Sequence, residues 1–130
     1  MKLDDFSEVD LLALLIAGES DGESLAGQVA VACVPVERLR RGRWGATLQE
    51  VMLQPYQFST FNGEHWLRFV PRIEVHRTVA KLAIRNLLNS HFPGATHYHV
   101  ASGLWPEWSR SYRMLRTGQQ LGAHVFYMET

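Results

Sequence analysis

The chain holds a single cysteine, Cys33. One thiol can form neither an intrachain disulfide nor a cysteine-built zinc centre. Net charge is equally scarce, because 13 basic residues offset 13 acidic ones. No overall field therefore draws the chain to nucleic acid or to an anionic membrane. Long apolar runs are missing as well. The run from Leu11 to Ala17 is far shorter than the roughly 20 residues that span a bilayer, so membrane insertion is not expected. The opening residues, Met1-Lys2-Leu3-Asp4-Asp5, lack the basic start and apolar core of a signal peptide. A monomer is expected.

What is present suits one folded domain over residues 1–130, with 46% hydrophobic and 20% charged residues. Leu11, Leu12, Leu15 and Ile16 recur at helical spacing, and one further turn of that stripe reaches Glu19. Ser7 and Asp10 form a capping box, and Phe6 and Leu11 a hydrophobic staple, so the first helix is expected over about 8–19. A carboxyl group at the end of a buried stripe, with no cation beside it, resists ionising. That makes Glu19 a candidate general acid. Gly18 and Gly22 bracket it and leave room for close approach.

A second helix is expected from about Ser24, with Leu25, Val29, Ala32, Cys33 and Val36 facing inward. Pro35 should end or kink it. Arg38, Arg40, Arg41 and Arg43 read as a solvated basic face. Thr47 and Glu50 form another capping box, opening a short helix with Leu48, Val51 and Met52 inside. Residues 54–71 read as a long aromatic loop, of the kind that is usually functional. The longest helix is expected over 72–89, with Ile73, His76, Ala80, Ala83, Ile84 and Leu87 inward. Two strands close the chain. In Thr96-His97-Tyr98-His99-Val100, alternation puts Thr96, Tyr98 and Val100 on one face and the two histidines on the other. His124-Val125-Phe126-Tyr127 follows Gly122 as the second.

The motifs around these elements resemble the SleB-type cell wall hydrolases, a group that includes spore-cortex-lytic enzymes and phage endolysins. The resemblance is carried by Glu19-Ser20-Asp21-Gly22-Glu23, then Gly27 and a Val/Ala-rich helix ending in Glu37-Arg38. The triplet Gln57-Phe58-Ser59 matches next. Gly94 to His99, Pro106 to Trp108 and Gly122 to Tyr127 then match the ending of phage members. The resemblance covers roughly residues 11 to 127. It implies an α+β fold, a mainly helical lysozyme-like domain with a small C-terminal antiparallel β element. It also implies that Glu19 is the catalytic acid, that peptidoglycan glycan strands are the partner, and that no cofactor or metal is needed. Gln57, Phe58, Ser59, His97, Tyr98, His99, Trp108 and His124 are the candidate substrate-binding residues.

Most glycosidases use two carboxyl groups. Asp21, Glu23, Glu64 and Glu107 are all possible partners for Glu19, and Glu23 can instead cap the second helix. Lytic transglycosylation, which the resemblance implies, needs only one, because the muramic acid's own 6-hydroxyl attacks the anomeric carbon. Muramidase-type hydrolysis is the alternative within that class. Two readings come from other classes. His97, His99 and His124 could hold zinc for an amidase or peptidase acting on stem peptides. Or the aromatic loop could make a wall-binding module without catalysis. For an endolysin made in a host cytoplasm without a signal peptide, a holin-type helper would give access to the wall.

Overall fold

The computed structural model describes residues 1–114 and 119–130. Four helices, α1 (Glu8–Ser20), α2 (Leu25–Arg41), α3 (Leu48–Leu53) and α4 (Ile73–Ile84), precede three strands, β1 (His97–Val100), β2 (Gln119–Leu121) and β3 (His124–Tyr127). The strands form one antiparallel sheet in the order β1-β3-β2. This is the mainly helical α+β arrangement expected, with β2 as an addition. Its Gln-Gln-Leu sequence has no apolar alternation to reveal it, and its partner is supplied through the tight Gly122-Ala123 turn, where Gly122 takes φ 59°.

The first helix starts as its cap dictates, with Ser7 Oγ accepting from the Asp10 amide. It does not carry a single stripe, however. Every residue from Leu11 to Ala17 is at most 1% exposed, so α1 is the axle of the core, surrounded on all sides. It extends through Ser20, which keeps Glu19 in its last turn.

The second helix departs from expectation twice. Pro35 neither ends nor breaks the element, which continues to Arg41 and stops at Gly42, where φ is 75° and the amide donates to the Arg38 and Leu39 carbonyls. Its buried face is Gly27, Ala30, Val31, Ala32, Val34, Pro35 and Arg38. Of the residues expected inward, Ala32 is buried, Val29, Cys33 and Val36 are half-buried, and Leu25 is exposed. Arg38 was not expected there. A charged residue closes the buried stripe, and periodicity assigns such a residue to water. The basic run is not one solvated face: Arg38 is buried, Arg40 and Arg41 pair with Glu37, and Arg43 pairs with Glu129.

Thr47 caps α3 through the Glu50 amide, and Leu48, Val51 and Met52 are buried. The aromatic stretch after α3 is ordered by 3₁₀ turns at Ser59–Phe61 and His65–Arg72. Phe58 and Trp66 sink into the core there, Trp66 edge-on to Phe6. The last helix ends at Ile84, earlier than expected, with Asn86 in the left-handed region and Leu87 exposed rather than inward. His76 is buried and satisfied, its Nε2 2.6 Å from Asp21.

Candidate active site

The end of α1, the 57–62 segment and the cleft-facing side of β1 and β3 enclose a cleft of about 340 Å³. It is lined by Glu19, Gln57, Ser59 and Tyr98, together with Tyr56, Asn62 and His124 among others. Glu19 projects from the last turn of α1 into this space. Its Oε2 accepts from Ser59 Oγ at 3.0 Å, the Thr60 amide at 2.9 Å and Thr60 Oγ1 at 2.5 Å. Its Oε1 accepts from the Tyr98 hydroxyl at 2.6 Å. The surroundings of the carboxyl group are thus donors rather than the bare apolar wall the helical phase suggested.

Three of those four donors are hydroxyls. A hydroxyl can turn to accept, so the same shell serves the carboxyl group with or without its proton; only the Thr60 amide is committed to donating. Burial, and then the charge of Glu19, push the Tyr98 hydroxyl well above the usual tyrosine range, so it stays protonated as a donor.

Gly18 serves a different purpose from the one expected. A Cβ there would stand 2.1 Å from Thr60 Oγ1, so the glycine lets Thr60 seat against the helix and reach Glu19. An added Cβ on Gly22 meets nothing within 4 Å, and that residue is not held by contact.

Arg38 underlies the cleft. Its Nε donates to the Thr96 carbonyl at 2.7 Å and a terminal nitrogen donates to Gln57 Oε1 at 3.0 Å. The guanidinium lies over the rings of Phe58 and Trp44, at 5.0 and 5.1 Å. Burial lowers its pKa to about 10, which leaves it cationic at neutral pH. It holds the 57–58 segment against β1, so Gln57 faces the cleft with its oxygen already occupied. Phe58, 2% exposed, offers no ring face to a ligand and is a core residue rather than a binding platform.

The strand register divides the remaining candidates. His97 pairs with Tyr127, Tyr98 with Phe126, His99 with Val125 and Val100 with His124. Directly opposed residues share a face. Tyr98, Phe126 and His124 therefore face the helices, and His97, His99 and Tyr127 face away. His97 and Trp108 are not in the cleft. His97 sits between Trp44 and Trp108, and Trp108 also meets His99 and Tyr127 edge-on. Burial, followed by the charges of Arg38, Arg43 and Arg41, lowers the His97 pKa to about 3, so its ring is neutral. His99 borders the cleft, yet both ring nitrogens are engaged. Its Nδ1 donates to the Val100 carbonyl at 2.8 Å, and Nε2 lies 2.9 Å from the Tyr127 hydroxyl, from which the neutral ring accepts. The three-histidine zinc set is thus split, with His124 on the opposite side of the sheet from His97 and His99.

His124 is buried with its ring edge-on to Tyr98 at 5.3 Å, and its Nδ1 is 3.6 Å from Glu23 Oε1, without a hydrogen bond. Glu23 does not cap α2. Ser24 does, accepting from the Gly27 amide. The Glu23 carboxylate instead accepts from the Ala123 amide at 2.7 Å, tying the β2–β3 turn to the start of α2. Asp21 is likewise committed, to His76 and Arg72; the His76 hydrogen bond is the main cause that holds its carboxyl below the usual range. Among the described residues, Glu19 is the only acidic residue lining the cleft. A separate hollow between α2 and the 86–95 segment contains Glu37, whose carboxylate Arg40 and Arg41 already hold.

Thr60, Asn62 and Tyr56 are the site residues that motif reading did not single out, and Arg38, which closes the Glu37-Arg38 motif, was assigned to a solvated face instead of the cleft. Thr60 directly follows the Gln57-Phe58-Ser59 triplet, and the glycine beside Glu19 was the trace of its close approach.

Comparisons with known proteins converge. Residues 22–127 match the model of the Cell Wall Hydrolase family, a span that begins three positions after Glu19. The spore cortex-lytic enzyme of Halalkalibacterium halodurans is 27% identical over 125 residues, and that of Oceanobacillus iheyensis is 27% identical over 123. Each alignment covers 92% of this chain but only 34% and 41% of those relatives, so the chain spans well under half their length. The catalytic domain of the Bacillus cereus SleB protein superposes with a TM-score of 0.64 at 25% identity, covering 92% of this chain and 88% of that one. The catalytic domain of the germination-specific lytic transglycosylase SleB from Bacillus anthracis has the same fold, with a TM-score of 0.62 at 24% identity, covering 94% and 96%.

Proposed function

The chain belongs to the Cell Wall Hydrolase family, and on that premise we propose that it cuts peptidoglycan glycan strands at the MurNAc–GlcNAc bond, with Glu19 as the one proton-transferring group. The observation that carries this reading is the single carboxyl group lining the cleft among the described residues. A two-carboxylate mechanism would need a second acid across the bond. Asp21 and Glu23 are engaged elsewhere, by His76 and Arg72 and by Ala123.

One carboxyl group suffices for lytic transglycosylation. Glu19 first gives its proton to the glycosidic oxygen as the bond from the muramic anomeric carbon breaks. The resulting carboxylate then takes the proton of the same sugar's 6-hydroxyl, whose oxygen bonds to that carbon. The product is a 1,6-anhydro end, and Glu19 has its proton back. The Ser59, Thr60 and Tyr98 hydroxyls can follow Glu19 through both states by rotating. Water in place of the 6-hydroxyl would give the muramidase outcome.

Glu19→Gln preserves shape and removes the transferable proton. General acid catalysis contributes about 10²–10⁴-fold, and lysis of peptidoglycan should fall by that order without a change in fold. Mass spectrometry of the fragments released by the unaltered protein should find 1,6-anhydromuramic ends. Reducing ends would establish hydrolysis. Intact glycan strands with freed stem peptides would overturn the glycosidic reading.

The chain is further read as a phage endolysin, made in a host cytoplasm and reaching the wall with a holin-type helper. Support comes from the phage-like endings at Gly94–His99, Pro106–Trp108 and Gly122–Tyr127. Expression in a Gram-negative host with and without a holin tests it. Lysis only when the holin is present is the expected result.

A further inference from the structure

The turn that follows α3 places an aromatic ring where a glycine belongs. Gln54-Pro55-Tyr56-Gln57 is closed by the Gln57 amide donating to the Gln54 carbonyl at 3.3 Å. Proline in the second position and a positive φ in the third is the type II pattern, and its third position ordinarily holds glycine or asparagine. Here it is Tyr56, at φ 62°. The only other non-glycine residue with positive φ among those described is Asn86. Asn86 lies just past a helix end, and asparagine tolerates that conformation. A tyrosine gains no such local compensation.

Nor does packing repay the strain. Tyr56 is 88% exposed, and among the described residues its side chain has neither a hydrogen bond nor a ring partner. Scattered exposed aromatics need no explanation in general. This one lies in the lining of the cleft that contains Glu19. Among the described residues, Tyr56 and Val100 alone of the large apolar side chains left in solvent line that cleft. Gln57 beside it is held by Arg38, so the turn presents the ring from an anchored base.

We propose that Tyr56 is a sugar-stacking residue, presented by a strained type II turn at the rim of the cleft to cover the apolar face of one N-acetylhexosamine ring of the glycan strand. An aromatic face suits this ligand because a pyranose ring offers C–H groups on one side and directs its polar groups outward. The pre-set turn means the ring is already in place when the strand arrives, which lowers the ordering cost of binding. The assignment rests on the glycan-cleaving reading above.

The test is binding of a GlcNAc–MurNAc tetrasaccharide by isothermal titration calorimetry in the Glu19→Gln background, which prevents turnover. Adding Tyr56→Asn should weaken binding about tenfold, while leaving the melting temperature unchanged or raised, since asparagine fits the positive φ. Adding Tyr56→Phe should leave affinity within about twofold, because the ring face is kept. Equal affinity of the Asn variant and the Tyr56 protein would overturn the stacking assignment, as would a Phe variant as weak as the Asn one. A fall in melting temperature with Asn would make the ring a structural element and overturn it too. If the Tyr56 protein binds no tetrasaccharide, the glycan reading itself falls and takes this assignment with it.

Discussion

Tyr98 and its neighbours His97 and His99 occupy consecutive positions on one short strand, yet the two faces of that strand do different work. On the inner face, Tyr98 touches Glu19 through its hydroxyl and lies against Phe58, Phe126 and His124 through its ring. On the outer face, His97 and His99 enter an aromatic layer with Trp44, Trp105, Trp108 and Tyr127. A motif written as His-Tyr-His suggests three similar residues. The pleat makes one of them part of the cleft and the other two chiefly its backing. The lesson is that a contiguous motif on a strand is two motifs, and the register decides which residues go with which.

That division can be broken or sharpened by substitution. Beyond the loss expected of Glu19→Gln, the largest effect should come from Tyr98→Phe. It deletes one hydrogen bond to a carboxylate while keeping the ring in its packing. Hydrogen bonds to charged groups are worth about 1.5–3 kcal/mol, so activity should fall by roughly ten- to hundredfold when measured at a temperature where the variant is fully folded. Alanine at the same position would also remove core contacts and lower stability, so it cannot separate the two roles. A Tyr98→Phe enzyme of full activity would show that the cleft face does not depend on this hydroxyl.

Trp108→Ala should do the reverse. The indole is part-buried against His97, His99 and Tyr127, and its loss should cost about 2 kcal/mol of stability, somewhat under the range for fully buried aromatics. Activity per folded molecule should be unchanged; an equal loss of turnover at a temperature where the variant is folded would put Trp108 in the functional face after all.

A further effect, confined to acid pH, concerns His97. His97 is neutral when folded, with a pKa lowered to about 3. An unfolded histidine takes up its proton near pH 6.5. Between those values the unfolded state binds more protons, so this group's stabilising contribution is complete above pH 6.5 and is lost progressively as pH falls towards 3. The slope contributed is at most about 1.4 kcal/mol per pH unit. His97→Gln should flatten the melting temperature across pH 4–6.5 relative to the unaltered protein. An unchanged slope would show that His97 is not the group responsible.

Much of the frame was legible before any coordinates. Ser7 and Thr47 announced their helices because a cap is written in four consecutive residues. The 96–100 alternation separated Tyr98 from His97 and His99 correctly, although grouping the three histidines as a metal set overlooked the same rule applied to His124. The buried role of Arg38 was not legible, although the residue closes the Glu37-Arg38 motif. Its partners, Gln57 and Thr96, lie 19 and 58 positions away, and only the fold brings them to it. The face of α2 was partly misassigned for the same reason, and β2 stayed hidden because a polar three-residue strand exists only by virtue of its partner. The position of Glu19 on α1 was readable from its phase, but its shell of donors was not, because Thr60 reaches it from 41 residues away.

The contact between Gly18 and Thr60 has a bearing on how such a chain can drift. With the Thr60 hydroxyl 2.1 Å from where a Cβ on residue 18 would stand, the two positions are not free to mutate independently. Any side chain at 18 displaces the threonine that donates twice to Glu19. Trimming residue 60 first opens the space but leaves the carboxylate short of a hydroxyl. Either order passes through an impaired intermediate, so the pair forms an epistatic lock: a lineage can leave this arrangement only by two changes made together, or by abandoning the residue they serve.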